Sequence, residues 1–225
     1  MKKGYSVENF KEIFLNANYI LFDPSLWVEA HSELKQLNVQ YHLIGLDYFG
    51  YESDTPTLIN LNRLSLSLKE QMWNKIGKYK TTNSFSSFDK MSMFQNIIYT
   101  KLNESELIEL LVKLFIINKR KNILRIHDSR VIMHLPIMQV VSEKFSSELI
   151  FKINFIKRNI DNWYISLAGN FWQLDFQRQY ENYPKFDMED LNSISENIRE
   201  ILVEDVSDNL DSILEKQYKI LKERT

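Results

Sequence analysis

The chain has no cysteine, so disulfides, thiolate nucleophiles and thiolate zinc sites are all excluded. That absence fits a reducing compartment. Glycine and proline are nearly as scarce, at 5 and 4 of 225 residues. Five glycines leave little material for a phosphate-cradling loop, and neither GxxxxGKS/T nor GxGxxG nor HExxH occurs. Long apolar runs are missing as well. The most apolar stretch, residues 107–117, is interrupted by Glu109 and Lys113 and is too short to cross a bilayer. The basic opening at Lys2 and Lys3 is followed by Glu8, Lys11 and Glu12 where a signal core would sit. Nor is there an excess of one charge: 28 basic residues face 30 acidic ones, for a net charge of −2. A chain so nearly neutral has no global field to draw in nucleic acid or an anionic membrane. These absences predict a cytoplasmic protein with no nucleic-acid or membrane partner, no cofactor and no metal.

What remains is a globular composition, 44% hydrophobic and 26% charged. Aromatic residues reach 13%, which implies dense packing or a sticky surface. A chain of this length hides roughly 72% of its unfolded surface on folding, enough for a substantial core.

Periodicity assigns most of the elements. Residues 7–15 carry Val7, Phe10, Ile13 and Phe14 at helical spacing behind Ser6 as N-cap. Residues 19–22 read as a buried strand, and Asp23-Pro24 as the cap and first residue of a helix with the stripe Trp27, Ala30, Leu34, Leu37. Strands are expected at 39–44 and 57–61, with a loop over 45–56. A helix over 64–76 precedes a Ser/Thr/Asn-rich loop at 77–90, and 93–99 reads as a strand. Asn103 with Glu106 forms a capping-box pattern ahead of an apolar helix ending near Phe115. Lys119-Arg120-Lys121 mark a basic turn before a strand at 123–126, and 128–145 reads as helix broken at Pro136. Strands are expected at 149–156, 163–167 and 171–176, the last two joined by a hairpin turn at Ala168-Gly169-Asn170.

Beyond Pro184 the character changes. Residues 187–225 lack Gly, Pro and Trp and show two apolar stripes at helical spacing. They hold 11 acidic and 5 basic residues, a net charge of −6 against +4 for the rest of the chain. The expected architecture is therefore an α/β lobe over residues 1–184, a mixed sheet flanked by helices, with a small C-terminal helical lobe over 185–225.

Few residues suggest chemistry. His31, His42, His127 and His134 have no metal-ligand spacing and read as partly buried or surface histidines. Asp23 is accounted for by helix capping, Lys119-Arg120-Lys121 by a solvated corner. Trp163-Tyr164 and Phe171-Trp172 are aromatic enough to stack bases, but without a basic stripe they read as packing. The most distinctive segment is Leu124-Arg125-Ile126-His127-Asp128-Ser129-Arg130-Val131-Ile132. There a strand ends at an Asp placed to cap the next helix, and an Arg sits in that helix's first turn. Two uses are open: a cap with an internal ion pair, or a carboxylate-binding Arg facing a partner. His127 and Asp128 at a strand end also raise the possibility of an acid/base pair in an enzyme.

This segment carries a family resemblance. The chain resembles the adaptor/chaperone proteins of bacterial type VI secretion, known as domain of unknown function 4123. Tyr19-Ile20-Leu21-Phe22-Asp23 is similar to the family's opening Tyr-x-Leu-x-Asp strand. Tyr41-His42-Leu43-Ile44 and Pro56-Thr57-Leu58-Ile59-Asn60-Leu61 resemble its next two segments, the first loosely. Arg125, Asp128, Arg130 and Val131 match its signature, roughly Phe-Arg-Phe-Tyr-Asp-Pro-Arg-Val-Leu. Trp163-Tyr164 and the hairpin resemble the closing strands. The likeness covers about residues 19–176. Two positions depart from it: His127 replaces an aromatic residue, and Ser129 replaces Pro, which predicts a looser turn.

The resemblance implies an adaptor without catalysis or cofactor, which binds a secreted effector and helps load it onto the VgrG spike protein. Arg125, Asp128 and Arg130 are the residues it implies for partner binding. An immunity-type toxin-binding protein shares the same composition, and only the family signature separates the two.

Overall fold

The computed structural model describes residues 2–176 except 7, 28, 77–91, 118–121, 134, 136–142 and 168–169. The loop at 77–90, the basic turn, Pro136, His134 and the helical lobe at 185–225 therefore lie outside the described residues.

The chain opens with a strand that periodicity did not suggest, β1 (Lys2–Ser6), where Ser6 ends a strand instead of capping a helix. The helix expected over 7–15 is split into a 3-10 turn, Glu8–Phe10, and α1 (Lys11–Asn16). Next come β2 (Tyr19–Phe22), α2 (Ala30–Gln36) and β3 (His42–Leu43). The strand expected over 39–44 shortens to two residues because it is a sheet edge, paired on one side only. The expected loop at 45–56 contains α3 (Leu46–Phe49) and a 3-10 turn, Glu52–Asp54. Gly45 starts α3 at φ +76°, a left-handed conformation where a Cβ would stand 3.2 Å from the Tyr48 ring.

β4 (Thr57–Asn60), α4 (Leu66–Ile76) and β5 (Asn96–Thr100) follow close to expectation. In α5 (Glu104–Phe115) the capping box is present in both directions. Asn103 Oδ1 accepts from the Glu106 amide at 3.1 Å, and the Glu106 carboxylate accepts from the Asn103 amide at 2.9 Å. A two-stranded ribbon, β6 (Ile116–Ile117) with β7 (Asn122–Ile123), leads to α6 (Ser129–Ile132).

Residues 149–156 overturn the strand expected there: they belong to α7 (Glu143–Asn159). The β-branched and aromatic run imitates a strand, but its burial follows a helix. Lys152, Ile153 and Ile156 are buried, while Ile150, Phe151 and Asn154 are exposed. In a strand, Phe151 and Ile153 would share a face. The chain closes with β8 (Ile160–Leu167) and β9 (Asn170–Gln173), paired so that Leu167 faces Asn170.

Seven strands form one sheet in the order β1-β9-β8-β5-β2-β4-β3, and every pairing in it is antiparallel. The α/β class with flanking helices is as expected, but the sheet is not mixed. Alternation of strands and helices suggested parallel neighbours. Instead β4 inserts between β2 and β3, and β8 and β9 between β5 and β1, so strands of like direction never adjoin.

Both faces of the sheet are covered. Tyr19 and Leu21 of β2 point into one core with Leu107, Leu111 and Leu114 of α5 and Ile153 and Ile156 of α7. Ile20 and Phe22 point into the other, with Phe14 of α1, Leu34 of α2 and Met72 and Trp73 of α4. The two-residue period of β2 thus feeds two cores, giving three layers with all of β2 buried. Each fully buried Ile, Leu or Phe contributes about 1.5–3 kcal/mol. The central strands are therefore a rigid base for whatever their ends carry. Among the described residues, no helix is long and apolar enough to cross a membrane.

Candidate functional site

At one end of the sheet, β2 finishes at Phe22 and β5 begins at Asn96, with Leu21 and Asn96 in register. The segment 124–132 lies across this end, held by a chain of buried polar groups. Asn96, fully buried, donates through Nδ2 to the backbone oxygens of His127 at 2.6 Å and Leu21 at 3.2 Å. Its Oδ1 accepts from Trp163 Nε1 of β8 at 3.0 Å. Ser129 Oγ donates to the Gln95 backbone oxygen at 2.9 Å. The expected loosening at Ser129 is therefore absent. Ser129 opens α6, where a proline would also be tolerated, and its hydroxyl ties the turn to the sheet.

Asp23 follows β2 and is fully buried. Its Oδ1 caps the 3-10 turn Pro24–Leu26, accepting from the Ser25 amide at 2.9 Å and the Ser25 hydroxyl at 2.6 Å. Capping uses only that oxygen. Oδ2 accepts from Arg125 Nη2 at 2.5 Å and stands 3.4 Å from His127 Nε2. Burial by itself would raise the Asp23 carboxyl. The imidazole of His127 beside it, and donation by the Ser25 hydroxyl and amide, outweigh burial and hold the group well below the usual carboxylate range. Sequence reasoning gave Asp23 a capping role only, because its second partner lies 102 residues away.

His127 is fully buried, edge-on to Phe49 and Phe115 with ring centroids 5.5 Å from each. Neither ring nitrogen has a hydrogen-bond partner among the described residues, and the approach to Asp23 is too poorly aligned to be one. The suggested acid/base pair of His127 and Asp128 is not what the geometry assembles. The imidazole faces Asp23, has no surface open to a substrate, and is walled by two phenyl rings.

Asp128 caps α6, its Oδ1 accepting from the Arg130 amide at 2.9 Å. The Arg130 guanidinium grips the same carboxylate with a fork, Nε to Oδ1 at 2.9 Å and Nη2 to Oδ2 at 2.7 Å. The cap and the internal ion pair are thus both present. Of the three residues implied for partner binding, Asp128 is buried, while the Arg130 side chain is 37% exposed and that of Arg125 is 50% exposed. The structure gathers them into two adjacent ion pairs, Asp23–Arg125 and Asp128–Arg130.

His31 and His42 are partly buried, as the sequence suggested. His31 stacks on Tyr41 and contacts the Thr57 hydroxyl at 2.9 Å, and His42 meets Glu104 at 3.0 Å. Gln95 and Asn96 were missed as site residues. The available signal was two amides heading an apolar strand, which is a poor place for them unless each has a buried partner.

No protein-family model, curated protein or solved structure matches the chain.

Proposed function

We propose that the protein is an adaptor/chaperone of type VI secretion that binds an effector in the cytoplasm and helps load it onto the VgrG spike protein. The observation that carries this reading is the Asp23–Arg125 ion pair. Asp23 ends the segment 19–23 and Arg125 begins the signature, two stretches that resemble the adaptor family independently. Residues 56–61, a third such stretch, supply β4, which is paired to β2 beside them. Segments that meet through one buried carboxylate act as a unit, and the unit holds the half-exposed Arg125 at a rigid sheet end. Two exposed apolar side chains stand on the segments that follow: Leu26, 38% exposed, ends the turn that Asp23 caps, and Tyr51, 73% exposed, precedes the turn Glu52–Asp54 that packs against it. A half-exposed cation held in place by a buried carboxylate suits protein recognition better than turnover.

The test is co-expression with the product of the adjacent effector gene. The two should co-purify as a complex that also captures the spike protein. Arg125→Ala should lose most of the effector while keeping its melting temperature within a few degrees. Failure of the wild-type chain to retain the effector would refute the reading.

A further inference from the structure

Two unlike faces run along α7. Inward, Ile153 and Ile156 enter the core. Lys152, also buried, donates through Nζ to the backbone oxygens of Lys113 at 2.7 Å and Ile116 at 2.6 Å, which fixes the rotation of the helix. Outward, Ile150, Phe151, Asn154 and Arg158 recur at steps of three and four and are all exposed. Phe151, 63% exposed, stacks on the half-buried Phe155 with ring centroids 5.8 Å apart, and Ile150 is 41% exposed. Lys157 and Arg158 end this face with two positive charges, and neither has an ion-pair partner among the described residues. An apolar strip that ends in two such cations fits an occupant that is apolar along one side and acidic along the other.

The chain itself carries that occupant. Residues 187–205 hold Met188, Leu191, Ile194, Ile198, Ile201 and Leu202 at helical spacing, with seven acidic residues and one basic, a net charge of −6. Residues 206–225 hold four of each sign and are neutral. The acidity of the C-terminal region therefore lies in its first half. An amphipathic stripe draws most of its stability from the surface that covers it. The described residues also end on the matching side of the sheet. Phe176 is buried in the core that Ile153 and Ile156 enter, its ring 6.3 Å from Trp163. Residues 177–186 separate it from Asp187, and such a connection spans up to about 33–36 Å when extended. The 17 residues of α7 make a helix about 26 Å long, so the connection is longer than the helix it has to reach.

We propose that residues 187–205 of this chain dock on the outer face of α7, with their apolar stripe over Ile150 and Phe151 and their carboxylates against Lys157 and Arg158. Docking within one chain needs little intrinsic affinity, because a short connection keeps the segment at high effective concentration. Salt weakens the ionic part of the contact and leaves the apolar part. The inference goes beyond the adaptor reading and does not depend on it, since both surfaces belong to this chain. Its consequence is that α7 is closed in cis and is not the face that a partner meets.

The test uses the full chain and reads the segment itself, because docking is a local equilibrium distinct from unfolding of the sheet. With no native cysteine, Asp161→Cys, at an exposed position just past α7, takes a single nitroxide label. The label should broaden the amide NMR signals of 187–205 several-fold more than those of 206–225. Arg158→Glu and Phe151→Asp, each introduced into the labelled chain, should remove most of that broadening. If Phe151→Asp does not fold, Phe151→Gln is read the same way. Nitroxide-labelled chain mixed with isotope-labelled chain that lacks the nitroxide should show no broadening, which places the contact within one molecule. Signals of 187–205 undisturbed by the label would overturn the proposal and leave the face without this occupant. Broadening of equal strength in the mixture would overturn it in favour of a second copy. Broadening that survives both variants would overturn it by reducing the contact to tethering.

Discussion

Asn96→Leu should be among the most damaging single changes in the protein, although it replaces a polar side chain with an apolar one of similar size in a buried strand. Asn96 is fully buried and bonds Trp163 Nε1, the His127 oxygen and the Leu21 oxygen. Leucine supplies none of these contacts. The Trp163 N–H and the His127 carbonyl would be left without the partner they now have, inside a core where water does not replace it. An orphaned buried group costs about 1–3 kcal/mol, so the pair costs about 2–6 kcal/mol. That is a large part of the roughly 5–15 kcal/mol by which a domain is stable. Urea unfolding, followed by tryptophan fluorescence and circular dichroism, should show a much lower midpoint with an unchanged slope. Trp163→Phe, which orphans only the Asn96 oxygen and trims a ring, should lose less, about 1–3 kcal/mol. If Asn96→Leu stays within about 1 kcal/mol of wild type, segment 124–132 is not held to the sheet by this amide, and the account of the site's rigidity fails.

Acid should weaken the fold through Asp23. Its carboxyl is held below the ordinary range, so the stability it contributes is present above about pH 4 and is lost as pH falls further. Asp23→Asn should be less stable than wild type at pH 7 and approach it toward pH 2; parallel urea midpoints across that range would refute the linkage. Asp128→Ala should cost about 0.5–2 kcal/mol in thermal unfolding, since it removes the cap of α6. Arg130→Ala should cost less, about 1 kcal/mol at most, because its side chain is partly solvated, and the reverse order would count against the cap. Along α7, Ile153→Ala should lose about 2–5 kcal/mol while Phe151→Ser changes stability by about 0.5 kcal/mol or less. Equal losses at both positions would mean that the two residues share an environment, as they would in a strand.

The sequence by itself determined what local chemistry can specify. The capping box of Asn103 and Glu106 and the cap at Asp23-Pro24 need only neighbours a few residues away, and both form, although Asp23 caps a 3-10 turn, Pro24–Leu26, and the helix expected to start there begins only at Ala30. The buried run 19–22 and the cap of α6 by Asp128 were legible for the same reason. Where local preference and tertiary packing disagree, the sequence misleads. The run Leu149-Ile150-Phe151-Lys152-Ile153 has a strand's composition, yet one face of it must cover the sheet at helical spacing, so α7 forms. β1 was invisible because an edge strand has no buried run to announce it, and its pairing with β9 comes from the far end of the described fold. Sheet direction was hidden too, since it depends on which strands insert between others. The site shows the division most clearly. Asp23 and Arg125 each looked self-sufficient in the sequence, one as a cap and one as a lone cation. Only the antiparallel closure of β2 on β5, with segment 124–132 laid across their ends, makes them partners and places His127 behind them.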